Sequence, residues 1–201
     1  FIGANDYALK TLLEKLDLNS LRPGDVVMLN YPYWNSAHAS DALLMSPVFI
    51  DHKEIAMFLC VRAHWLDLGA KDAGYVIDST DIHQEGIIIP GVRIIKEGKL
   101  DEDLWKVLTF NSRLPEAIEG DFGAQVACLR TGERCLKEIF SKFGKSKVLD
   151  AIEDFFEHSH QKTLAALSQL PKGTWSASDW LDDDGISDDM IKMAVNVSIT
   201  D

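Results

Sequence analysis

The chain has 201 residues, 46% hydrophobic and 26% charged, in the range of a soluble globular protein with room for one sizeable core. Lys and Arg number 20 against 32 Asp and Glu, a net charge of -12. That balance excludes a phosphate backbone or an anionic membrane as the natural partner, and no apolar run approaches the roughly 20 residues that span a bilayer.

In chain order, Asp6 to Leu16 carries Leu9, Leu12, Leu13 and Leu16 at helical spacing, with Asn5 or Asp6 as cap. Arg22-Pro-Gly-Asp25 is a turn signal, and Val26-Val-Met-Leu29 a short buried strand. Asn30 to Ala37 is polar and aromatic with one proline, which excludes a regular strand and suits a loop that carries ligand groups. Two apolar runs follow, Ala42 to Ile50 and Ile55 to Val61, split by Asp51-His52-Lys53, and predict an antiparallel hairpin with a tight tip. A long connection from Leu66 to about Ile87 has the length of a loop that covers a site. Ile87 to Lys96 is strand-like, interrupted at Pro90-Gly91.

From Asp101 the periodicity turns helical. A short helix runs from Asp101 to about Asn111. A long one starts at Pro115 with a stripe through Leu129, Leu136, Ile139, Phe140 and Phe143, and ends at Gly144. A third runs from about Ser146 to Leu170, and the short link predicts an antiparallel helical hairpin. Thr174–Leu181 and Met190–Thr200 read as strands, the second alternating Val195, Val197, Ile199 with Asn196, Ser198, Thr200. The class is α+β. The expected organisation is one unit: a mixed region over 1–100, a helical hairpin over 101–172, and strands at 173–201 returning to the first sheet. The opening on Phe1 suggests an internal piece of a longer polypeptide.

A hairpin folding back near residue 51 brings His38 opposite the neighbourhood of His64, with Asp41 beside them. Two imidazoles and a carboxylate are a candidate metal site with coordination positions left open for reactants, suited to zinc, manganese or iron. Asp67, three residues after His64, is a candidate to support a ligand imidazole or act in catalysis, against the plainer role of a turn residue before Gly69. His83, in the long loop, is the further titratable candidate. His52 is expected in the hairpin tip, and His158 and His160, two apart on a helix, cannot face one ligand.

Cys60, Cys128 and Cys135 contain no CxxC pair; they are expected as buried thiols of a cytoplasmic protein, the last two sharing a core-facing helix side. The acidic run Asp182 to Asp189 fails the calcium-loop pattern, since Trp180 stands five before Gly185, and reads as a solvated turn. No phosphate-cradling glycine motif and no recognisable nucleophile context occurs.

Several of these stretches, taken together and in order, resemble the hydantoinase B/oxoprolinase family. They are Arg22 to Tyr33, His38-Ala-Ser-Asp41, Ser46 to Phe49, His64 to Gly69, Gln84-Glu-Gly86, Leu100 to Asp103, Glu119-Gly-Asp121, Gln125 and Leu181 to Gly185. The resemblance implies the second half-reaction of an ATP-coupled attack at an amide or ketone carbonyl, most simply hydrolysis of a cyclic amide. It implies a hydantoinase A-type subunit or domain that uses ATP and Mg, hence a hetero-oligomer, and a metal held by His38, Asp41 and His64. Two departures lie beside the presumed metal. Tyr31 stands where the family has Asp in Asn-Asp-Pro-Tyr, and Trp34-Asn-Ser-Ala37 replaces a glycine pair. The hairpin tip is one residue longer. The rival readings are a ketone carboxylase subunit on the same scaffold, a non-catalytic docking module for the ATP-using partner, and a ferrous oxygenase, which the helical half of the chain disfavours.

Overall fold

The structure is a computed structural model that describes residues 3–35, 37–50, 54–74 and 76–200. The order of elements is α1 (Ala4–Lys15), β1 (Val26–Leu29), α2 (Pro32–Asn35), β2 (Asp41–Ile50), β3 (Glu54–His64), β4 (Pro90–Lys96) and β5 (Lys99–Leu100). Then come α3 (Glu102–Phe110), α4 (Pro115–Phe143), α5 (Lys145–Leu167), β6 (Gly173–Leu181) and β7 (Ile191–Ile199), with short 3-10 turns at Leu18–Ser20 and Ile82–Gln84. The α+β class follows. The chain divides into two compact units, Phe1–Lys137 and Glu138–Asp201, where one was expected; the boundary falls within α4.

In the first unit an antiparallel sheet of order β3-β2-β1-β4-β5 is apolar on both faces. Alternate residues of β1 and β2 separate cleanly. Val26, Met28, Ala42 and Leu44 pack with Leu108 of α3 and Ile118, Phe122 and Leu129 of α4. Val27, Leu29, Leu43 and Met45 pack with Ala8 and Leu12 of α1. A strand buried on both faces needs apolar side chains at every position, which is why β1 and β2 read as continuous runs. The four-residue helix α2 stands where a loop was expected and the short strand β5 where no strand was, and the caps differ as well. Gly3, in left-handed conformation at φ 79°, precedes α1 where Asn5 or Asp6 was expected. Asp101 caps α3 as its position suggests, accepting from the Leu104 amide.

In the second unit β6 and β7 pair with each other in a two-stranded sheet, whereas all five strands of the first sheet come from residues 26–100. The expected return of these strands to the first sheet is therefore corrected. The reason is local: the acidic turn at 183–187 folds onto its own backbone, Gly185 donating to Asp183 and Ile186 and Ser187 to Asp184, and sets the strands side by side. Cross-strand pairing then makes one face largely apolar (Trp175 opposite Val197, Ala177 opposite Val195, Leu181 opposite Ile191), broken by Asp179 opposite Met193, and the other mixed, with Thr174 opposite Ser198 and Trp180 opposite Lys192. Cys128 and Cys135 are exposed on α4, and only Cys60 is partly buried, which corrects their expected burial. The buried stripe of α4 in the first unit runs through Ile118, Phe122, Gln125, Val126 and Leu129, and the cysteines fall beside it.

Candidate metal centre

The centre is built at the end of the β2–β3 hairpin. Asp41 is the first residue of β2 and His64 the last of β3, and they are directly opposed. The expected register placed His38 there; it is Asp41 instead. The backbone at 38–41 closes a turn in which the Asp41 amide donates to the His38 carbonyl at 3.0 Å, so the strand cannot begin earlier. The tip at 51–53 that fixed the expected register lies outside the described residues.

The Asp41 side chain is fully buried, and both its oxygens are engaged. Oδ1 lies 3.0 Å from His64 Nδ1, and Oδ2 accepts from the His38 amide at 3.1 Å. The Nδ1 edge of the His64 ring thus faces Asp41, and its Nε2 edge is turned away from the carboxylate. His38 completes the group, its ring edge-on to that of His64 with centroids 6.1 Å apart.

Four polar side chains hold this end of the sheet, none of them singled out as ligands by spacing. Asn30, wholly buried, donates from Nδ2 to the Ala39 carbonyl (2.7 Å) and the Ile87 carbonyl (2.8 Å), and its Oδ1 accepts from the Ile89 amide (2.6 Å). It thereby ties the His38 turn to the far side of the long loop. Asn35 donates to the Asp41 carbonyl at 2.7 Å. Arg62, from β3, grips Asn35 through one nitrogen, at 2.7 Å to its carbonyl and 2.8 Å to Oδ1. Burial draws the Arg62 guanidinium below its ordinary value, and the charges of Asp41 and Cys60 pull it back. Gln125 of α4 donates to the carbonyls of Ala42 and Val61, one on each strand, and accepts from the Trp65 indole at 2.8 Å. A lone arginine in an apolar strand run and a glutamine in an apolar helix stripe were the available signals, because a buried polar group must have a partner.

Asp67 makes its hydrogen bonds away from this group. It is buried, its Oδ1 accepts from the Gly69 amide at 2.9 Å, and its Oδ2 accepts from the Arg113 amide at 2.6 Å. The Arg113 guanidinium lies 3.1 and 3.2 Å from the two oxygens and donates onward to the Ala70 carbonyl at 2.7 Å. Asp67 thus staples the start of the long loop to the link between α3 and α4. His83 sits exposed in the 3-10 turn at Ile82–Gln84, its amide donating to Asp81. Beside the centre, a cleft of about 420 Å³ runs between His38 and Tyr33 on one side and Ser79, Thr80, Asp81 and Glu85 on the other. Neither His83 nor Asp67 is part of its lining.

His38, Asp41 and His64 are thus brought together, but among the described residues no three His, Cys, Asp or Glu side chains are arranged to hold a metal ion. Asp41 is committed to His64 and to the His38 backbone. What the geometry shows is two imidazoles beside one buried carboxylate.

The family model for hydantoinase B/oxoprolinase matches residues 1–201. The chain belongs to the hydantoinase B/oxoprolinase family. Among curated relatives, it is 31% identical over 184 residues to the B component of a putative D-/L-hydantoinase from Pseudomonas sp. strain NS671, covering 90% of this chain and 31% of that protein. It is 30% identical over 168 residues to the beta component of caprolactamase from Pseudomonas jessenii, covering 83% of this chain and 29% of that one. Among solved structures, an ATP-dependent caprolactamase from Pseudomonas jessenii superposes with TM-score 0.87 at 27% identity, over 98% of this chain and 34% of that chain. An acetone carboxylase shares the fold, with TM-score 0.80 at 16% identity over 89% and 24%. This chain therefore spans 31% and 29% of the length of the two curated relatives. No helix among the described residues is long and apolar enough to cross a membrane.

Tyr31 lies in an aromatic cluster. Its ring stands edge-on to Trp34 at 5.2 Å and tilted to Tyr33 at 5.6 Å, with the Lys15 ammonium over Trp34. Tyr31 packs against the α1 side of the sheet.

Proposed function

We propose that this chain forms part of the B-type component of an ATP-coupled enzyme that hydrolyses a cyclic amide of the hydantoin, 5-oxoproline or lactam type. The observation that carries the reading is the buried Asp41 carboxylate set against His64 Nδ1, with the His38 ring beside it at the mouth of a cleft. His38 and His64 would hold a divalent zinc, manganese or iron ion, and Asp41 would keep His64 in the tautomer that binds it. Such an ion, when bound, polarises a carbonyl or acidifies a water.

The chain's own residues do the positioning. Asn35, Arg62 and Gln125 fix the two strand ends, and Asn30 fixes the His38 turn against the loop that forms the opposite wall of the cleft. Asp67 and Arg113 brace the base of that loop. The chemistry of ATP, with its Mg, belongs in this reading to an A-type partner subunit or domain, since this sequence contains no phosphate-cradling motif. The assembly is accordingly a hetero-oligomer, consistent with relatives whose names mark them as the B or beta component of a larger enzyme.

The test is metal analysis and ATP-dependent ring opening by the full-length complex. His38→Ala and His64→Ala are expected to lose bound metal and at least 100-fold in kcat/KM while assembling normally. Full activity in His38→Ala would leave the chain a docking module. Product formation from a ketone that requires bicarbonate would replace the amidase by a carboxylase.

A further inference from the structure

The second unit, Glu138–Asp201, is short of a core. Among its described residues only Phe140 is buried, and α5, β6 and β7 contain no buried residue. The β6–β7 sheet shows where cover is wanted. Its mixed face satisfies itself: the Thr174 and Ser198 hydroxyls bond across the strands at 3.0 Å, the Ser176 hydroxyl donates to Asn196 Oδ1 at 2.6 Å, and the Lys192 ammonium lies over the Trp180 ring. The other face sets Trp175, Ala177, Val195 and Val197 side by side, with no charged neighbour until Asp179. The Trp175 ring is laid along this face over Gly173, where an added Cβ would stand 3.2 Å from it. Trp175, Val195 and Val197 are nonetheless 44%, 54% and 48% exposed. A two-stranded sheet with its apolar face bare is marginal in water.

The area at stake can be bounded. By the usual scaling of accessible surface with mass, two separately folded bodies of the lengths of these units would expose about 11,200 Å². The chain exposes 12867 Å², roughly 1,600 Å² more than folding normally leaves. One side of a standard-size protein–protein interface covers about 800 Å². A lack of cover twice that large, at aromatic and aliphatic side chains, has the character of a permanent interior and not of a transient contact. A longer polypeptide can supply it. The solved caprolactamase superposes over 98% of this chain, so this unit takes part in the match, and only 34% of that longer chain is covered.

Resting on the reading of this chain as part of a longer B-type component, we propose that the face of the β6–β7 sheet carrying Trp175 and Val197 is an internal docking surface. It is covered by the part of the same polypeptide that lies outside these 201 residues, while the mixed face stays open to solvent.

The experiment is oxidative footprinting of the full-length complex, with Trp180 as internal reference. Trp180 is 50% exposed, close to Trp175, and stands on the opposite face of the sheet. Trp175 is expected to be oxidised at least tenfold more slowly than Trp180. A photoreactive residue in place of Val197 identifies the cover and should cross-link within one polypeptide. Equal oxidation of the two indoles overturns the inference, and so does a cross-link to a second copy or to the ATP-using subunit. Neither readout involves turnover, so failure of the amidase reading leaves this inference standing, and its own failure leaves that reading untouched.

Discussion

Asn30 is the residue whose removal should cost this unit most for its size. Replacing it by alanine deletes three hydrogen bonds, to the Ala39 carbonyl, the Ile87 carbonyl and the Ile89 amide, all made from a side chain with no exposed surface. At about 1 kcal/mol for each bond, and up to about 3 where the stranded group stays buried, the loss is at least about 3 kcal/mol. Water entering the polar gap recovers part of the upper range, so about 3–5 kcal/mol is expected. That is a large part of a typical stability of about 5–15 kcal/mol. With a urea slope of about 2 kcal/mol/M, the midpoint should fall by about 1.5–2.5 M. Urea unfolding followed by tryptophan emission reads it, since Trp34, Trp65 and Trp105 lie in the first unit. Asn30→Asp keeps the acceptor but sets a carboxylate oxygen against the Ala39 and Ile87 carbonyls in a site with no exposed surface, so it should cost at least as much. Native-state hydrogen exchange should also quicken at the Asp41 and Ile87 amides, which close the two segments Asn30 ties. A midpoint shift below about 0.3 M in Asn30→Ala would refute the clamp.

Two further outcomes separate structure from chemistry. Asp67→Ala leaves Arg113 and the Gly69 and Arg113 amides without their carboxylate and should destabilise the fold by about 2–4 kcal/mol. Activity per folded molecule and metal content should stay near wild type, and selective loss of turnover with unchanged melting would make Asp67 catalytic after all. Burial pushes the Cys60 thiol from the usual 9.0 up to about 11, the Arg62 charge offsetting a little of it. At pH 8 a thiol reagent should therefore label Cys128 and Cys135 promptly and Cys60 only on unfolding. Because the folded state keeps a proton that the unfolded chain releases, stability from this group is complete below about pH 9 and is lost as pH rises toward 11. Three thiols labelled at one rate, or no decline in that window that Cys60→Ala removes, would refute it.

What could be read from the sequence depended on whether a signal was periodic. The apolar runs gave β1, β2 and β3, and the 3.6-residue stripes gave α3, α4 and α5, because burial of a whole face writes itself at regular intervals. The register of the hairpin was legible only within three residues, since the ladder starts with Ile50 opposite Glu54 and then gains one residue of β3 between Val48 and Phe49, which composition does not reveal. The nearness of His38, Asp41 and His64 was legible, but the engagement of both Asp41 oxygens was not: it depends on which way they point. Asn30, Asn35 and Gln125 act through backbone groups 6 to 83 residues away, which no local pattern encodes. The expected joining of β6 and β7 to the first sheet went astray because alternation fixes which face is apolar and leaves open which strand lies alongside.

The irregularity in the β2–β3 ladder has a consequence for how this hairpin can vary. Val48 pairs with Met57 and Phe49 with Ile55, so Ala56 is an unopposed residue that shifts the count by one. Every pair from Val48 back to Asp41 keeps a single alignment, and the alternation of faces there is insulated from the distal turn. The kink takes up one residue of β3, and on its far side the His64 imidazole stands opposite its acid, Asp41.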